Sequence, residues 1–493
     1  MLNTRAGGII CHPTSLPGPY GIGDLGGAAR TWVTWLANSG TKLWQVLPLG
    51  PTGYADSPYQ SFSAFGGNHM LVSPEDLIEV ELLPPDALDK LPNFPDKDVA
   101  FGEVITWKEE LFARAALSFT HSHPLWEEYE HFFHQEAAWL NDYALFMALK
   151  NRFGGKPWTA WDKELASRNP KALDHARDEL SDSVDDHKLR QFLFYRQWGD
   201  IRRLANENGV RVIGDIPIFV AHDSADVWAH PELFLLDEDG MPTVVAGVPP
   251  DYFAATGQRW GNPLYRWDKM KKDGYPWWLD RFRAMFNLVD IVRIDHFRGI
   301  DAHWEIPADS TTAETGRWVS GPGEEFLDAM HKGLESLPLI AEDLGYITES
   351  VKQLRDRYDF PGMRIFQFGL EGGHDESFLP HAYPQNCVAY TGTHDNDSSR
   401  GWYESTTEEI RDRARHYISS DGEHFAWDLI RALWASQAWT TIAPLQDFLE
   451  LPTEARMNYP GTVEGNWKWR VLEGQLTERL AERIRRLNEN YGR

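Results

Sequence analysis

The sequence has little cysteine and no long run of apolar residues. Cys11 and Cys387 are the only cysteines among 493 residues, which is too few for a disulfide framework and favours reduced thiols in the cytoplasm. The N-terminal segment lacks the basic region and the apolar core of about 7–15 residues that mark a signal peptide. No stretch approaches the roughly 20 apolar residues that a membrane-spanning helix needs. We therefore expect a soluble, cytoplasmic protein.

Positive charge and several short enzyme motifs are also scarce. Lysine and arginine number 48 against 74 acidic residues, which gives a net charge of −26. A surface this acidic repels phosphate backbones and anionic lipids, so we expect no nucleic-acid or membrane partner. No GxxxxGK phosphate loop, GxSxG nucleophile elbow or HExxH metal motif occurs. We expect no metal and no cofactor.

Aromatic residues, by contrast, are abundant. The chain has 22 Trp, 17 Tyr and 25 Phe, and many stand beside polar residues in glycine-rich segments such as 257–267 and 465–470. Aromatic rings in loops offer flat faces to the apolar sides of sugars, while their polar edges reach hydroxyls. The alternative for any single Trp is core packing. The carbohydrate interpretation therefore depends on finding catalytic residues.

Eight short runs of apolar and β-branched residues, each ending in polar residues, predict parallel strands. They cover residues 8–16, 41–49, 210–220, 290–297, 337–345, 362–368, 387–395 and 441–449. Helical patterns lie between many of them, which predicts an α/β protein whose strands are buried on both faces. Eight such units favour closure into a (β/α)8 TIM barrel, with an open doubly wound sheet as the alternative. In a barrel the polar strand ends meet at the C-terminal rim.

The spacing of the runs predicts one elaborated barrel over residues 1–493, with inserted, mainly helical subdomains on the C-terminal rim. Residues 50–200 form a mainly helical insertion between the second and third strands, with helical patterns at about 105–150 and 186–208. A second insertion, 221–275, is rich in glycine, proline and aromatic residues. Long insertions of this kind are tolerated at the loops of a barrel.

Four acidic residues each follow an apolar run directly: Asp215, Asp295, Glu342 and Asp395. Cleaving a glycosidic bond with retention needs a carboxylate that attacks the anomeric carbon and a carboxylic acid that protonates the leaving oxygen, about 5–5.5 Å apart. A single Asp at a strand end is most often a helix cap or a loop hydrogen-bonding group. Four acids in register at one rim instead predict an active site.

The neighbours of these acids support that chemistry. Arg293 lies two residues before Asp295, so both side chains lie on one face of the strand, and a guanidinium there favours the ionised carboxylate of a nucleophile. Glu342, as the acid, must instead be protonated, which requires surroundings that exclude water or carry negative charge. His394 and Asp395 are placed to hydrogen-bond sugar hydroxyls, although a satisfied loop histidine is the alternative for His394.

Four motifs together resemble a known family. GDIPIF (214–219), RIDHFRG (293–299), AEDLG (341–345) and TGTHDND (391–397) are similar, in order and spacing, to the four signature regions of the α-amylase clan. The residues within these motifs resemble those of the amylomaltase branch, the 4-alpha-glucanotransferases of glycoside hydrolase family 77. The likeness extends from HPTSLPGPYGIGDLG (12–26) through DSPYQSFSAFGGN (56–68) to NYPGTVEGNWKWR (458–470).

The resemblance implies transfer of an α-1,4-glucan segment to the 4-hydroxyl of another glucan or of glucose, through a covalent ester. It implies that Asp295 is the nucleophile, Glu342 the general acid and then base, and Asp395 the stabiliser of the transition state. The implied partners are maltooligosaccharides, amylose, and starch- or glycogen-derived glucans. The residues implied to bind substrate near the cleaved bond are Tyr59, Asp215, Arg293, His394, Trp260 and Asn466.

The segment 249–263 resembles the family's loop over the acceptor side of the site. The contacts that this resemblance implies are Asp251, Tyr252, Phe253 and Gln258. Gly257, the prolines and the aromatics are typical of a lid that excludes water, and an ordinary surface loop is the alternative. Tyr54 resembles an outlying glucan-binding residue, and Phe101 stands where its tyrosine partner is expected.

Two other functions remain open from the sequence. A starch hydrolase of the same clan would break glucans down without an acceptor, because water and sugar compete for the same ester. A catalytically silent glucan-binding scaffold is disfavoured by the three intact carboxylates. Incubation with maltotriose distinguishes the three, since transfer gives a ladder of longer and shorter oligomers, hydrolysis gives breakdown, and a binding module gives no change.

Overall fold

A computed structural model describes residues 3–250, 255–371 and 375–493 of the chain. These residues form twelve strands: β1 (Ala6–Ile10), β2 (Leu43–Gln45), β3 (Arg211–Pro217), β4 (Val244–Val248), β5 (Gln258–Pro263), β6 (Ile291–Asp295), β7 (Ala302–Pro307), β8 (Arg317–Ser320), β9 (Leu339–Ala341), β10 (Gly362–Ile365), β11 (Cys387–Tyr390) and β12 (Thr440–Pro444). Eight of them close into a barrel in the order β1-β2-β3-β6-β9-β10-β11-β12. Because β1 pairs in parallel with both β2 and β12, the predicted barrel is confirmed and the open sheet is excluded.

Alternation along the strands decides which side chains fill the barrel. Ile213, Ile291 and Ile340 belong to the interior cluster. Val212 and Val292 point outward into the larger core that the strands share with the helices. Since the side-chain period of a strand is two, the position two residues after each interior residue also points inward. This register aims the strand-end residues into the mouth of the barrel.

The barrel is surrounded by helices. The described residues contain nineteen α-helices: α1 (Gly27–Asn38), α2 (Pro74–Glu79), α3 (Phe101–Ser118), α4 (Trp126–Arg152), α5 (Lys163–Ala166), α6 (Pro170–Glu179), α7 (Ser181–Glu207), α8 (Ala225–Ala229), α9 (Trp267–Asp273), α10 (Pro276–Leu288), α11 (Arg298–Asp301), α12 (Gly323–Gly333), α13 (Glu349–Arg357), α14 (Phe366–Leu370), α15 (Ser399–Ser405), α16 (Glu408–Ile418), α17 (Phe425–Ala435), α18 (Leu445–Phe448) and α19 (Glu478–Asn490). Across those described ranges, no helix has the length and apolarity needed to span a bilayer.

Helices α2 to α7 lie between β2 and β3. The helical pattern predicted at about 105–150 is two helices rather than one, because α3 ends at Ser118 and α4 begins at Trp126. Pro124 stands in the break, where His123 N donates to Thr120 O at 2.8 Å in a turn. Proline lacks the amide proton that a continuous helix needs, so the chain turns there and α4 packs back against α7.

A second sheet, which the sequence analysis did not predict, lies beside the rim. Its four strands run antiparallel in the order β5-β4-β7-β8. Val245 pairs with Ile306, and both pack with Ala313 in a small separate core. Strand β7 begins at Ala302, seven residues after β6 ends at Asp295 and directly after α11, so the chain returns to this sheet soon after it leaves the barrel at the end of β6.

Candidate active site

The interior register of the barrel strands continues into a cluster of charged side chains. Asp215 follows interior Ile213 by two residues on β3, and Arg293 follows interior Ile291 by two on β6. Asp295 is the next inward position on β6 and its last residue. The two strands pair so that Asp215 stands opposite Arg293. Strand alternation alone therefore brings an arginine between two carboxylates at the barrel mouth.

Arg293 binds both of these carboxylates. Its Nη1 donates to Asp215 Oδ2 at 2.5 Å, and its Nη2 donates to Asp295 Oδ1 at 2.8 Å. Burial alone would lower the pKa of Arg293, but the two carboxylates raise it well above its ordinary value, so it stays charged. Arg293 is 3% exposed, and a buried guanidinium with two anionic partners is a rigid support.

Glu342 lies beside Asp295, directly after β9, where Ile294 pairs with Ala341. Its Oε2 accepts from His296 N at 2.7 Å and its Oε1 accepts from Leu344 N at 2.9 Å. Burial, followed by the charge of Asp295, raises the pKa of Glu342 to about 8. Of these two neighbouring acids, Asp295 therefore has a cationic partner in Arg293, whereas Glu342 is a carboxylic acid that is protonated at neutral pH.

Tyr59 and His394 form the wall of the cluster next to Asp215. The Tyr59 hydroxyl donates to Asp215 Oδ2 at 2.7 Å and lies 2.9 Å from His394 Nε2. Because the phenol gives its only proton to Asp215, His394 Nε2 is the donor in the second contact. Burial lowers the pKa of His394, so the ring is neutral with its proton on Nε2. The two rings stack with centroids 5.3 Å apart.

Asp395 stands at the open side of the cluster. Its side chain is 44% exposed, and its Oδ1 accepts from Asn458 Nδ2 at 2.6 Å. Arg456 Nη2 donates to the Asp395 carbonyl oxygen at 2.5 Å, which fixes the loop backbone. His394 Nε2 lies 3.4 Å from Asp395 Oδ1. The carboxylate of Asp395 is thus oriented by its neighbours and remains partly exposed.

Trp260 and Gln258 approach the cluster from β5 of the second sheet. Trp260 Nε1 donates to Gln258 Oε1 at 3.2 Å, and the Trp260 ring meets the His296 ring edge-on with centroids 4.8 Å apart. Burial, with the charge of Arg298, lowers the pKa of His296 to about 3. This histidine directly follows Asp295, so the indole that β5 supplies lies against a neutral imidazole next to the acidic cluster.

Two of the predicted substrate contacts, Tyr54 and Asn466, lie elsewhere or have other partners. Tyr54 is 71% exposed and stands outside the hydrogen-bonded cluster, whereas Phe101 is buried at the start of α3. The Asn466 amide is engaged within its own loop, where Oδ1 accepts from Tyr459 N at 2.9 Å and Nδ2 donates to Thr462 O at 3.0 Å. The predicted contacts Asp251, Tyr252 and Phe253 lie outside the described residues.

The structure adds residues that the sequence analysis did not single out. His296 and Asn458 contact the predicted acids directly, through Glu342 and Asp395 respectively. The signal for His296 was its position next to Asp295 in RIDHFRG. Asn458 is the first residue of NYPGTVEGNWKWR, but nothing in that segment pointed to Asp395, from which 63 residues separate it. Unlike His296, Asn458 follows no apolar run of the kind used to find the acids.

Comparison with known proteins identifies the family of the chain. The profile of glycoside hydrolase family 77, described as 4-alpha-glucanotransferase, matches residues 11–476. The chain belongs to this family. A 4-alpha-glucanotransferase of Thermus thermophilus is 48% identical over 98% of both chains, and one of Synechocystis sp. is 45% identical over 100% of this chain and 99% of its own.

A solved structure agrees with the family assignment. Amylomaltase from Streptococcus agalactiae in complex with acarbose is 39% identical, covers 99% of both chains and superposes with a TM-score of 0.96. The activity of the chain is therefore that of a 4-alpha-glucanotransferase, which confirms the activity predicted from the motifs. Residues 3–250, 255–371 and 375–493 contain no group of three or more His, Cys, Asp or Glu side chains arranged to hold a metal ion.

Proposed function

We propose that the enzyme transfers α-1,4-glucan segments by a retaining double displacement in which Asp295 forms a covalent glucosyl ester. The observation that supports this most is that two neighbouring acids, Asp295 and Glu342, have different electrostatic surroundings. Arg293 donates to Asp295 Oδ1 at 2.8 Å and places a cation beside it, while burial and the charge of Asp295 raise the pKa of Glu342 to about 8. A retaining glycosidase mechanism needs one acid in each of these states.

In the first step, Asp295 Oδ2 attacks the anomeric carbon and the bond from that carbon to the glycosidic oxygen breaks. Glu342 gives its proton to the departing 4-oxygen of the leaving glucan. Asp395, held through Asn458 at 2.6 Å, accepts hydrogen bonds from hydroxyls of the glucosyl unit as positive charge develops on the ring. Electrostatic stabilisation of this kind is commonly the largest single contribution of an active site.

In the second step, an acceptor hydroxyl replaces the leaving glucan. Esterification removes the negative charge of Asp295, and that charge is the second cause, after burial, of the raised pKa of Glu342. The pKa of Glu342 therefore falls once the ester has formed, and its carboxylate takes the proton of the acceptor 4-hydroxyl. The acceptor oxygen bonds to the anomeric carbon while the bond to Asp295 breaks. One residue thus acts as acid and then as base.

Tyr59, Asp215, Arg293 and His394 bind the glucosyl unit that becomes attached to Asp295. Asp215 Oδ1 is buried and has no hydrogen-bond partner within the described residues, so this oxygen is available to a sugar hydroxyl. Trp260 and His296 contact the next unit on the acceptor side. Gln258, Asp251, Tyr252, Phe253 and Asn466 remain proposed contacts of the glucan, and Tyr54 remains a proposed outlying one.

The substrates that we propose are maltooligosaccharides, amylose and glucans derived from starch or glycogen, in the cytoplasm, without a nucleic-acid partner. Cys11 and Cys387 are free and buried, and burial raises the pKa of the Cys387 thiol to about 12. Thiols that stay reduced suit a reducing compartment. We also propose that the chain is one elaborated barrel over 1–493 with the insertions 50–200 and 221–275 on its rim, and that the segment 249–263, of which 251–254 lie outside the described residues, belongs to the acceptor side.

Incubation with maltotriose tests the proposal. Transfer predicts glucose together with a ladder of maltooligosaccharides longer than the substrate, at a constant number of reducing ends. A hydrolase of the same clan is the second candidate, and it would raise the number of reducing ends without making longer products. Added glucose labelled with carbon-13 provides the sharper comparison, since transfer incorporates the label at the reducing end of new oligomers.

A further inference from the structure

Two large aromatic side chains are exposed beside the active site. Trp318 is 37% exposed and lies on β8, the edge strand of the second sheet. Tyr346 is 70% exposed and lies in the loop after β9, four residues beyond Glu342. Most rings of this size in the chain are buried or half-buried, because exposing them to water costs free energy. Two exposed rings from separate elements therefore indicate a surface that contacts another molecule.

Arg298 joins these two rings. Its guanidinium carbon lies 3.7 Å from the centroid of the Trp318 ring and 5.7 Å from that of the Tyr346 ring. It also donates to the carbonyl oxygen of Tyr346. Trp304 packs edge-on against Trp318 with centroids 5.2 Å apart and is itself held by a 2.9 Å hydrogen bond to Ala313 O. The exposed rings are thus fixed from behind, as a preformed binding surface requires.

The rings of Trp318 and Tyr346 lie close to the carboxylates of Asp295 and Glu342. Arg298 is three residues from Asp295, which limits the distance between their Cα atoms to about 11 Å. Phe297 N donates to Glu342 O at 3.1 Å, so the segment before Arg298 and the loop that leads to Tyr346 are joined at their start. A glucan of a few units that leaves the site past Glu342 reaches this surface.

We propose that Trp318 and Tyr346 form a platform that binds the acceptor glucan at least one glucosyl unit beyond the one at the cleaved bond. The inference rests on the proposed function, in which Glu342 protonates the oxygen of the acceptor-side sugar. Tyr346 follows Glu342 on the same loop, which places the platform on that side. Aromatic faces bind the apolar faces of neutral sugars without needing charge, and two rings allow contact with more than one unit.

The same contacts would also arise if Arg298 served only to hold the loop of Glu342. The test therefore compares acceptors of different length in the variants Trp318→Ala and Tyr346→Ala. The donor is α-maltosyl fluoride, whose leaving group needs no acceptor-side contact, and the acceptors are glucose and maltotetraose. A platform predicts a rise of about tenfold in the KM for maltotetraose, equivalent to about 1.4 kcal/mol, with the kinetics of transfer to glucose unchanged.

Two results would overturn the proposal. One is an unchanged KM for maltotetraose in both variants. The other is an equal loss with glucose and maltotetraose, which would assign the rings to support of the catalytic loop. Trp318→Phe retains a ring and should keep most of the affinity, so it serves if Trp318→Ala does not fold. Leu117→Ala, at an 84% exposed position on α3, is the surface control.

The wild-type enzyme separates this inference from the proposed function. If it transfers maltosyl units to glucose but the ring variants show no dependence on acceptor length, only the platform fails. If it makes no transfer product with either acceptor, the proposed function fails first. Direct binding of maltotetraose to Asp295→Asn, measured by calorimetry with and without Trp318→Ala, gives a second readout that does not require turnover.

Discussion

Arg293 and Asp295 lie two residues apart on β6, and Arg293 Nη2 donates to Asp295 Oδ1 at 2.8 Å. The same guanidinium binds Asp215 Oδ2 through Nη1 at 2.5 Å. The fork geometry of arginine allows one cation to orient two carboxylates at once, which the single ammonium of lysine does not reproduce. The position of Asp295 therefore depends on the shape of Arg293 as well as on its charge.

Arg293→Lys is expected to lower kcat/KM for maltotriose by at least about 10²-fold, the loss typical of removing one oriented electrostatic partner from an active site. Initial rates of glucose release measure it. Arg283→Lys, at a half-exposed arginine on α10 that pairs with Asp280, is the matched control and should leave the rate unchanged. Retention of half the wild-type rate in Arg293→Lys would show that charge alone is sufficient.

Tyr59→Phe removes the hydroxyl that donates to Asp215 Oδ2 while keeping the ring stacked on His394. This hydrogen bond lowers the pKa of Asp215, against the raising effect of burial. Its loss should raise that pKa further and move the acidic limb of the activity profile to higher pH. The measurement is kcat/KM between pH 4 and 8. A uniform loss of rate with an unmoved profile would contradict this role of the hydroxyl.

The rate should fall as pH rises through the pKa of Glu342. Burial and the charge of Asp295 raise that pKa to about 8, so the acid form, which in the proposed mechanism protonates the leaving group, is present below about pH 8 and is lost above it. A profile of kcat/KM with maltotriose should show this basic limb. The variant Glu342→Gln, assayed with α-maltosyl fluoride, should lack it in the step that forms the ester. A wild-type rate that already falls above pH 6 would argue against Glu342 as the acid.

The pH dependence of the melting temperature gives an independent check on the pKa of Glu342. The pKa of Glu342 in the folded enzyme is raised above its ordinary value, so its contribution to stability is present at low pH and is lost as pH rises through about 8. Glu342→Gln should therefore melt at a higher temperature than the wild type at pH 9, and the difference should shrink as pH falls towards 5. An equal difference in melting temperature at both pH values would contradict this.

Asp343→Asn should destabilise the enzyme by about 3 kcal/mol, because it removes the charge of a buried carboxylate that pairs with Arg355 and Arg364. Asp343 is 5% exposed and also accepts from Met363 N at 2.7 Å. Thermal unfolding with and without maltotriose measures the loss. Asp356→Asn is the control, since Asp356 also pairs with Arg355 but is 63% exposed. Equal melting temperatures for the two variants would show that the buried pair contributes little.

The barrel could be predicted from the sequence because its strands are buried on both faces and read as apolar runs. The predicted runs extend past the strands at their C-terminal ends, as in 362–368, where β10 stops at Ile365 and α14 begins at Phe366. The second sheet could not be predicted. Its strands contain glycine and proline, and β4 pairs with β7 from beyond β6, a contact that local pattern does not encode.

The acids of the site could be predicted because each ends an apolar run, and the motifs they stand in resemble a family. Their supporting residues were harder to find. Asp343 directly follows Glu342 but points to the opposite side, where its partners come from α13 and β10. The exposed rings of Trp318 and Tyr346 are distant in sequence, and both contact Arg298. Spacing along the chain does not reveal such contacts.

The central claim is that Asp295 forms a covalent ester with the transferred glucan. The most direct test incubates Glu342→Gln with α-maltosyl fluoride, digests the protein at low pH, and locates the added mass by tandem mass spectrometry. The account predicts one maltosyl group on the peptide that contains Asp295, attached to that side chain, and none in the double variant with Asp295→Asn. A maltosyl group on Asp215, Asp395 or another residue, or turnover with no adduct at any time, would contradict it.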